Sequence, residues 1–275
     1  MNNAARRLII NADDFGRSPS INQAVIRAHR EGVLTTASLM VNEAAAGQAA
    51  ELARAHPTLG VGLHLSLVCG RSALSPKEIP ALVNARGEFG SNPVTAGAGY
   101  FARRGLRAQL RDEIRAQVDR FHATGLPMDH LNGHLHLHLH PVIFDLLMEN
   151  AAEWGIKYVR LTKEPFWLTA CLVKGRWAYR VIHAAIFRIL SRRAAGRLQA
   201  RGIRHTGSVF GLLQDGHVDE EYLLKLLPVL PPGDIELYSH PSLDEFAHEL
   251  AALVSPRVRE LIDRLGFARI RYADL

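Results

Sequence analysis

Cysteine is nearly absent from this 275-residue chain: Cys69 and Cys171 are the only two, far apart and outside any C-x-x-C arrangement. That excludes a disulfide-stapled scaffold and a thiolate metal site, and it fits a reduced compartment. No apolar run approaches the ~18 residues of a membrane span. Leu8-Ile9-Ile10 is too short for a signal-peptide core before Asn11 and two aspartates follow. The expected location is therefore the cytoplasm. With 48% apolar, 22% charged and 7% aromatic residues, the chain is neither disordered nor fibrous. It is long enough to bury a proper core.

Acidic residues are missing altogether from 165–214, a stretch that holds nine of the 33 lysines and arginines. Without those nine, 24 basic residues face 27 acidic ones, so the formal charge of +6 belongs to one segment. No nucleic-acid reader motif accompanies it, which argues against a nucleic-acid partner. The same segment carries Phe166, Trp167 and Trp177, and at helical spacing Val181, Ile182, Ala185 and Ile189 share a face opposite Arg176 and Arg180. Two readings stay open. One is a basic amphipathic helix making peripheral contact with the inner membrane through 165–204. The other is a helical excursion packed on its own domain with a solvated basic face.

The remaining chain alternates apolar runs with helical patterns. Strands are expected at 7–12, 35–41, 59–67, 128–138, 157–161, 207–212, 235–238 and 268–272, with helices at 18–32, 44–56, 105–124, 142–154, 219–227 and 256–265. Residues 70–100 read as a long irregular loop. The expected fold is α/β, an irregular TIM-barrel-like (β/α) barrel forming one domain over 1–275. A basic helical insertion occupies 164–205, and a doubly wound open sheet is the alternative. Either fold gathers chemistry at the carboxyl ends of its strands.

Several polar groups fall at those ends. Asp13 and Asp14 follow an apolar strand, where two buried carboxylates need a counter-charge, and a divalent cation supplies one. His64 interrupts the apolar stretch 61–67. Five of the fourteen histidines, His130, His134, His136, His138 and His140, lie within eleven residues. In an extended strand they would share one side, with Leu131, Leu135, Leu137 and Leu139 on the other. At ~6.6 Å per two-residue step they cannot all hold one ion. One carboxylate and two histidines make an open catalytic metal site that suits zinc, with magnesium or manganese as alternatives. His240 is a candidate general acid, further ligand or turn residue. Arg160 reads as a group holding a carboxylate or a substrate oxygen, or as a surface salt bridge.

Asn11-Ala12-Asp13-Asp14-Phe15-Gly16, Gly62-Leu63-His64-Leu65, Asp129-His130 through His138, and Ser239-His240-Pro241 occur in the order found in the YdjC-like carbohydrate deacetylases, which this chain resembles over essentially its whole length. The form of the histidine run and the long basic excursion are similar to the hopanoid-biosynthesis-associated branch. The resemblance implies a metal-dependent hydrolase that removes an acetyl group from an N-acetylated sugar. The substrate in that branch would be an N-acetylglucosaminyl hopanoid lipid. Carried over by position, Asp14, His64 and His134 would hold one divalent metal ion (Zn or Mg), with Asp13 as general base and His240 as general acid. His136 and Arg160 would serve the substrate. One departure stands out: many relatives have Asp-Ser where this chain has Asn132-Gly133. A metal-dependent phosphoesterase and a non-catalytic sugar- or metal-binding module are the competing readings.

Overall fold

The computed structural model describes residues 6–275, so residues 1–5 of the expected domain lie outside the described residues. In chain order the elements are β1 (Arg6–Phe15), α1 (Pro19–Glu31), β2 (Thr36–Leu39), α2 (Ala46–Ala55), β3 (Gly60–Leu65), α3 (Pro93–Ala102), α4 (Leu106–Ala123) and β4 (Leu131–Gly133). They continue with α5 (Pro141–Asn150), α6 (Phe166–Leu172), α7 (Trp177–Gln199), β5 (Ser208–Phe210) and α8 (Glu220–Leu226). β6 (Gly233–Ser239), α9 (Ala247–Val254), α10 (Pro256–Arg264) and β7 (Ala268–Arg269) complete the chain. Helix starts follow local chemistry: Ser18 accepts from the Ile21 amide with Pro19 behind it, and Ser255 accepts from the Val258 amide ahead of Pro256.

All strands run parallel in the order β4-β3-β2-β1-β6-β5, with β7 against the start of β1. β1 is buried from Leu8 to Phe15, as the middle of a helix-covered parallel sheet must be. The sheet curls. An extended segment, 157–163, links its two edges: the Leu131 amide donates to Tyr158 O and the Arg160 amide to Leu131 O. On its other side, the Val159 amide donates to Arg204 O and the Val209 amide to Lys163 O. The irregular α/β barrel expected from the sequence is therefore present as a curled parallel sheet. Its expected fifth strand makes only isolated bridges, which leaves seven regular strands among the described residues.

A second expectation is corrected. Residues 128–138 do not form one alternating strand: β4 ends at Gly133, and His134–Leu139 wind into a 3-10 turn. Leu135 and His136 take left-handed φ of 50° and 57°, which destroys the two-residue period, so the histidines do not share a face. The expected loop at 70–100 ends in α3, capped by Asn92, whose side chain accepts from the Val94 and Thr95 amides. Buried Glu113 on α4 anchors the loop itself by accepting from the Ala73 and Leu74 amides.

α6 and α7 fill the basic segment. Glu164 fastens their base to the barrel: Oε2 accepts from the Leu213 amide and Oε1 from the Thr169 hydroxyl. Burial pushes its pKa up from 4.5 to about 7. The folded chain thus keeps a proton that the unfolded chain has released between those values, so stability falls as pH rises through that window. We expect Glu164→Gln to lose this fall, worth about 3 kcal/mol in wild type. The check is the difference between the two proteins' unfolding free energies, measured in urea from pH 4.5 to 8.

Candidate metal centre and active site

Neighbouring residues of a regular strand point to opposite faces, yet Asp13 and Asp14 both face the barrel mouth. The cause is local. β1 loses register against β2 between Ala12 and Phe15, and Asp14 takes φ 64°, a left-handed conformation that Asp tolerates better than most residues. Gly16 follows at φ 94°, packed so tightly that a Cβ would meet Leu39 and the Met40 carbonyl.

Asp14 reaches His64 on β3 and His134 at the end of β4. Its Oδ1 lies 3.3 Å from His64 Nε2 and 3.0 Å from His134 Nδ1. One donor atom from each of the three residues falls within 4.8 Å of the others, and all three residues are buried. A carboxylate and two imidazoles converging in this way fit a divalent cation with coordination positions left for water and substrate. It is the one such group among the described residues.

Asp13 is held differently. Its Oδ1 accepts from Asn11 Nδ2 (2.8 Å), Asn132 Nδ2 (3.1 Å) and an Arg160 guanidinium nitrogen (3.0 Å), while Oδ2 accepts from the other (2.6 Å). Burial alone would raise its pKa, but the Arg160 cation and these hydrogen bonds hold it well below the usual carboxylate range. Arg160, expected to face substrate, does not line the cavity. Its guanidinium is wholly buried between Asp13 and Glu236, and the Tyr238 ring lies 4.4 Å below it. The carboxylate it holds is internal.

Asn132 carries a deduction that fixes the ligand tautomer. A carboxylate only accepts, so the nitrogen of Asn132 must face Asp13, and Asn132 Oδ1 must then face His64 Nδ1 at 2.7 Å. His64 Nδ1 is therefore the donor, and the Nε2 lone pair is free toward Asp14 and a cation. Register puts the pair side by side, because His64 and Asn132 are direct partners in the β3–β4 ladder. Beneath them Ser38 Oγ touches His130 Nε2, whose Nδ1 meets Asp129. Gly62 leaves room for that ring, since a Cβ there would collide with His130.

A cavity of about 340 Å³ opens above His64 and His134, with Asp13, His136 and His240 also in its lining. His136 Nε2 meets the Tyr238 hydroxyl at 2.9 Å, and burial holds its pKa well below 6.5, so it stays neutral. His138 turns away to the Arg160 carbonyl, and His140 sits at the cavity edge beside Tyr100. His240, at the end of β6, faces Asp215 with Nδ1 3.7 Å from Oδ1. Burial would lower its pKa, but the carboxylates of Asp215 and Asp14 raise it above 6.5.

A sequence profile of the YdjC-like protein family matches residues 7–264. The chain belongs to this family. It is 41% identical over 152 residues to a carbohydrate deacetylase of Brevibacillus brevis, covering 54% of this chain and 57% of that protein. It is 42% identical over 151 residues to one of Geobacillus stearothermophilus, so the chain spans little more than half the length of these two relatives. A carbohydrate deacetylase of Mus musculus is 30% identical, covering 98% of this chain and 94% of that protein. Among solved structures, an Enterococcus faecalis protein provisionally described as a cellobiose-phosphate cleavage protein superposes with a TM-score of 0.77 over 98% of this chain and 99% of that one. At 23% identity that likeness concerns the fold.

Reading the sequence by strand ends did not find Asn11, Ser38, Glu236, Tyr238 or Asp215. Asn11 and Glu236 had a usable signal: they are polar residues on largely apolar strands, two positions before Asp13 and four before His240, an even spacing that points to the same interior. We expect Asn132→Ala to weaken zinc binding by about 10- to 100-fold, measured by calorimetric titration of the purified protein. Thermal unfolding should show that the fold is retained.

Proposed function

We propose that the chain is a metal-dependent hydrolase that removes the acetyl group from an N-acetylated sugar. The observation carrying this reading is the convergence of Asp14, His64 and His134 beside an ionised Asp13 on the floor of the cavity. The names of the relatives support the substrate class.

The reaction adds water to the acetamide carbon, breaks the C–N bond and releases acetate and the free amine. Asp13 takes the proton of the attacking water. Its hydrogen bonds fix its orientation and keep it ionised, but they also lower its basicity. A bound cation would supply the rest, polarising the carbonyl and acidifying the water. His240, whose proton the Asp215 and Asp14 carboxylates stabilise against the effect of burial, delivers the proton that the departing amine needs. Neutral His136, tied to Tyr238, presents a fixed polar edge to the sugar.

The cavity wall favours a finer reading. Above the polar floor it is built from Val94, Leu135, Leu137, Ile186, Phe187 and Leu190, an apolar lining that suits a sugar joined to a lipid. A polycyclic lipid bearing N-acetylglucosamine, of the hopanoid kind, is the form we propose. The phosphoesterase alternative is disfavoured because phosphoryl chemistry commonly uses two metals, and only one ligand cluster exists among the described residues.

Asp13→Asn should cut acetate release by about 10²- to 10⁴-fold at saturating metal, with calorimetric metal affinity retained. Mass spectrometry over soluble chitin oligomers and glycosylated lipids reads the product, and an unchanged rate would remove Asp13 from the mechanism. The kcat/KM profile should fall on an alkaline limb above pH 6.5 as His240 loses its proton. Asp215→Asn should move that limb to lower pH, because a carboxylate that raises the His240 pKa is gone.

A further inference from the structure

α7 packs Phe187, Leu190, Ala194 and Leu198 inward as an ordinary surface helix does, but it carries a second apolar stripe that faces out. Its outward stripe is Trp177, Val181, Ile182, Ala185, Ile186 and Ile189, all exposed, with Ile189 at 60%. Among the side chains it buries is Arg180, only 1% exposed, which donates to the Leu213 and Val173 carbonyls and to Gln214 Oε1. Folding in water alone would sort these the other way. Trp167 on neighbouring α6 is 76% exposed, and Phe166 packs edge-on against both tryptophans.

The charge along this face is one-sided. Five arginines of the segment are engaged elsewhere: Arg180 as above, Arg176 with the Asp215 carbonyl, Arg197 with Asp145, Arg201 with the Met148 carbonyl and Arg204 with the Leu275 carbonyl. Lys174, Arg188, Arg192 and Arg193 stay exposed with no ion pair among the described residues, and 165–214 contains no acid to neutralise them. The cavity opens here: Ile186 on α7 and Val94 on α3 both line it and stand exposed, and Phe101 on α3 extends the same apolar character.

We propose that the α6–α7 face, with the exposed end of α3, docks on an anionic lipid bilayer so that the cavity mouth is turned toward the lipid. Exposed tryptophans and aliphatic residues suit the interfacial zone, and unpaired cations suit acidic headgroups. A second copy of the chain fits less well, because two-fold pairing of this surface would set like charges against each other. The docking surface does not depend on which reaction the site performs.

Flotation with vesicles tests it, comparing phosphatidylcholine alone with phosphatidylcholine containing phosphatidylglycerol. The full chain should float only with the anionic vesicles. Arg188→Ala, Arg192→Ala and Arg193→Ala combined should weaken partitioning on the order of a hundredfold, at roughly fivefold per cation. Trp177→Ser with Ile182→Ser and Ile189→Ser should abolish flotation. The chain has three tryptophans and Trp154 is buried, so the blue shift of emission on binding should vanish when Trp167 and Trp177 are replaced by Ser. Absence of flotation in wild type, equal flotation of the serine variant, or a dimer in light scattering that the same substitutions dissolve would each overturn the proposal. Turnover of a soluble acetylated chitin oligomer, run alongside, should be the same in all these variants. Its absence in every protein would count against the proposed reaction and leave the docking result standing.

Discussion

The barrel interior is organised around a guanidinium that has no access to water. Arg160 spans Asp13 and Glu236, and a buried cation of this kind is tolerable only with acceptors correctly placed around it. Glu236 is steadied in turn by the Tyr272 hydroxyl, and the Tyr238 ring closes one face of the guanidinium. Removing Arg160 would leave Asp13 in the core without its counter-charge, so the position of Asp13 is set by electrostatic necessity. From Asp13 the constraint passes outward by donor and acceptor logic alone. The carboxylate orients the Asn132 amide, the amide fixes the His64 tautomer, and the tautomer leaves a lone pair beside Asp14. The charge network that stabilises the interior and the arrangement that prepares a cation site are one structure.

The reactive groups lie where regular structure breaks. Asp14 and the Leu135–His136 turn adopt left-handed backbone, each such residue costing about 1–2 kcal/mol. Both irregularities do geometric work that an ideal strand cannot. At Asp14 the break brings two adjacent carboxylates to one side of the sheet. At Leu135 and His136 it ends the alternation, so His134 stays with Asp14 while His136 swings to Tyr238 and His138 to the Arg160 carbonyl. A strand of five aligned histidines would have spread its imidazoles along a line. The folded turn distributes them around a cavity.

This explains what was legible in the sequence. The periodicity of β1, β3 and the amphipathic helices reports burial, and burial is what periodicity measures, so the curled parallel sheet and its strand ends were readable. Asp13, Asp14, His64 and the histidine run stood out because polar groups at the ends of apolar strands require partners, while the choice of Asp14, His64 and His134 among them came from the family resemblance. Backbone handedness at a non-glycine residue leaves no comparable trace, so the histidine run looked like a strand. Arg160 looked available to substrate because its two counter-charges sit 147 and 76 residues away in the chain. Only the fold brings them together.

The same reasoning bears on α7. Sequence spacing grouped Val181, Ile182, Ala185 and Ile189 on one side with Arg176 and Arg180 opposite; Arg180 lies there, Arg176 precedes the helix and stands exposed, and spacing alone does not say which side faces water. Ordinary hydrophobic sorting would bury the aliphatic side, and the structure buries Arg180. Carbonyl ends around Leu213 and Val173 offer that guanidinium fixed acceptors, which offsets its desolvation and holds the aliphatic stripe outward. An arrangement that spends hydrogen bonds on a buried arginine while leaving isoleucines exposed makes physical sense when the exposed side meets something other than water. The apolar cavity wall beneath the same helix is consistent with a substrate whose non-sugar part shares that environment.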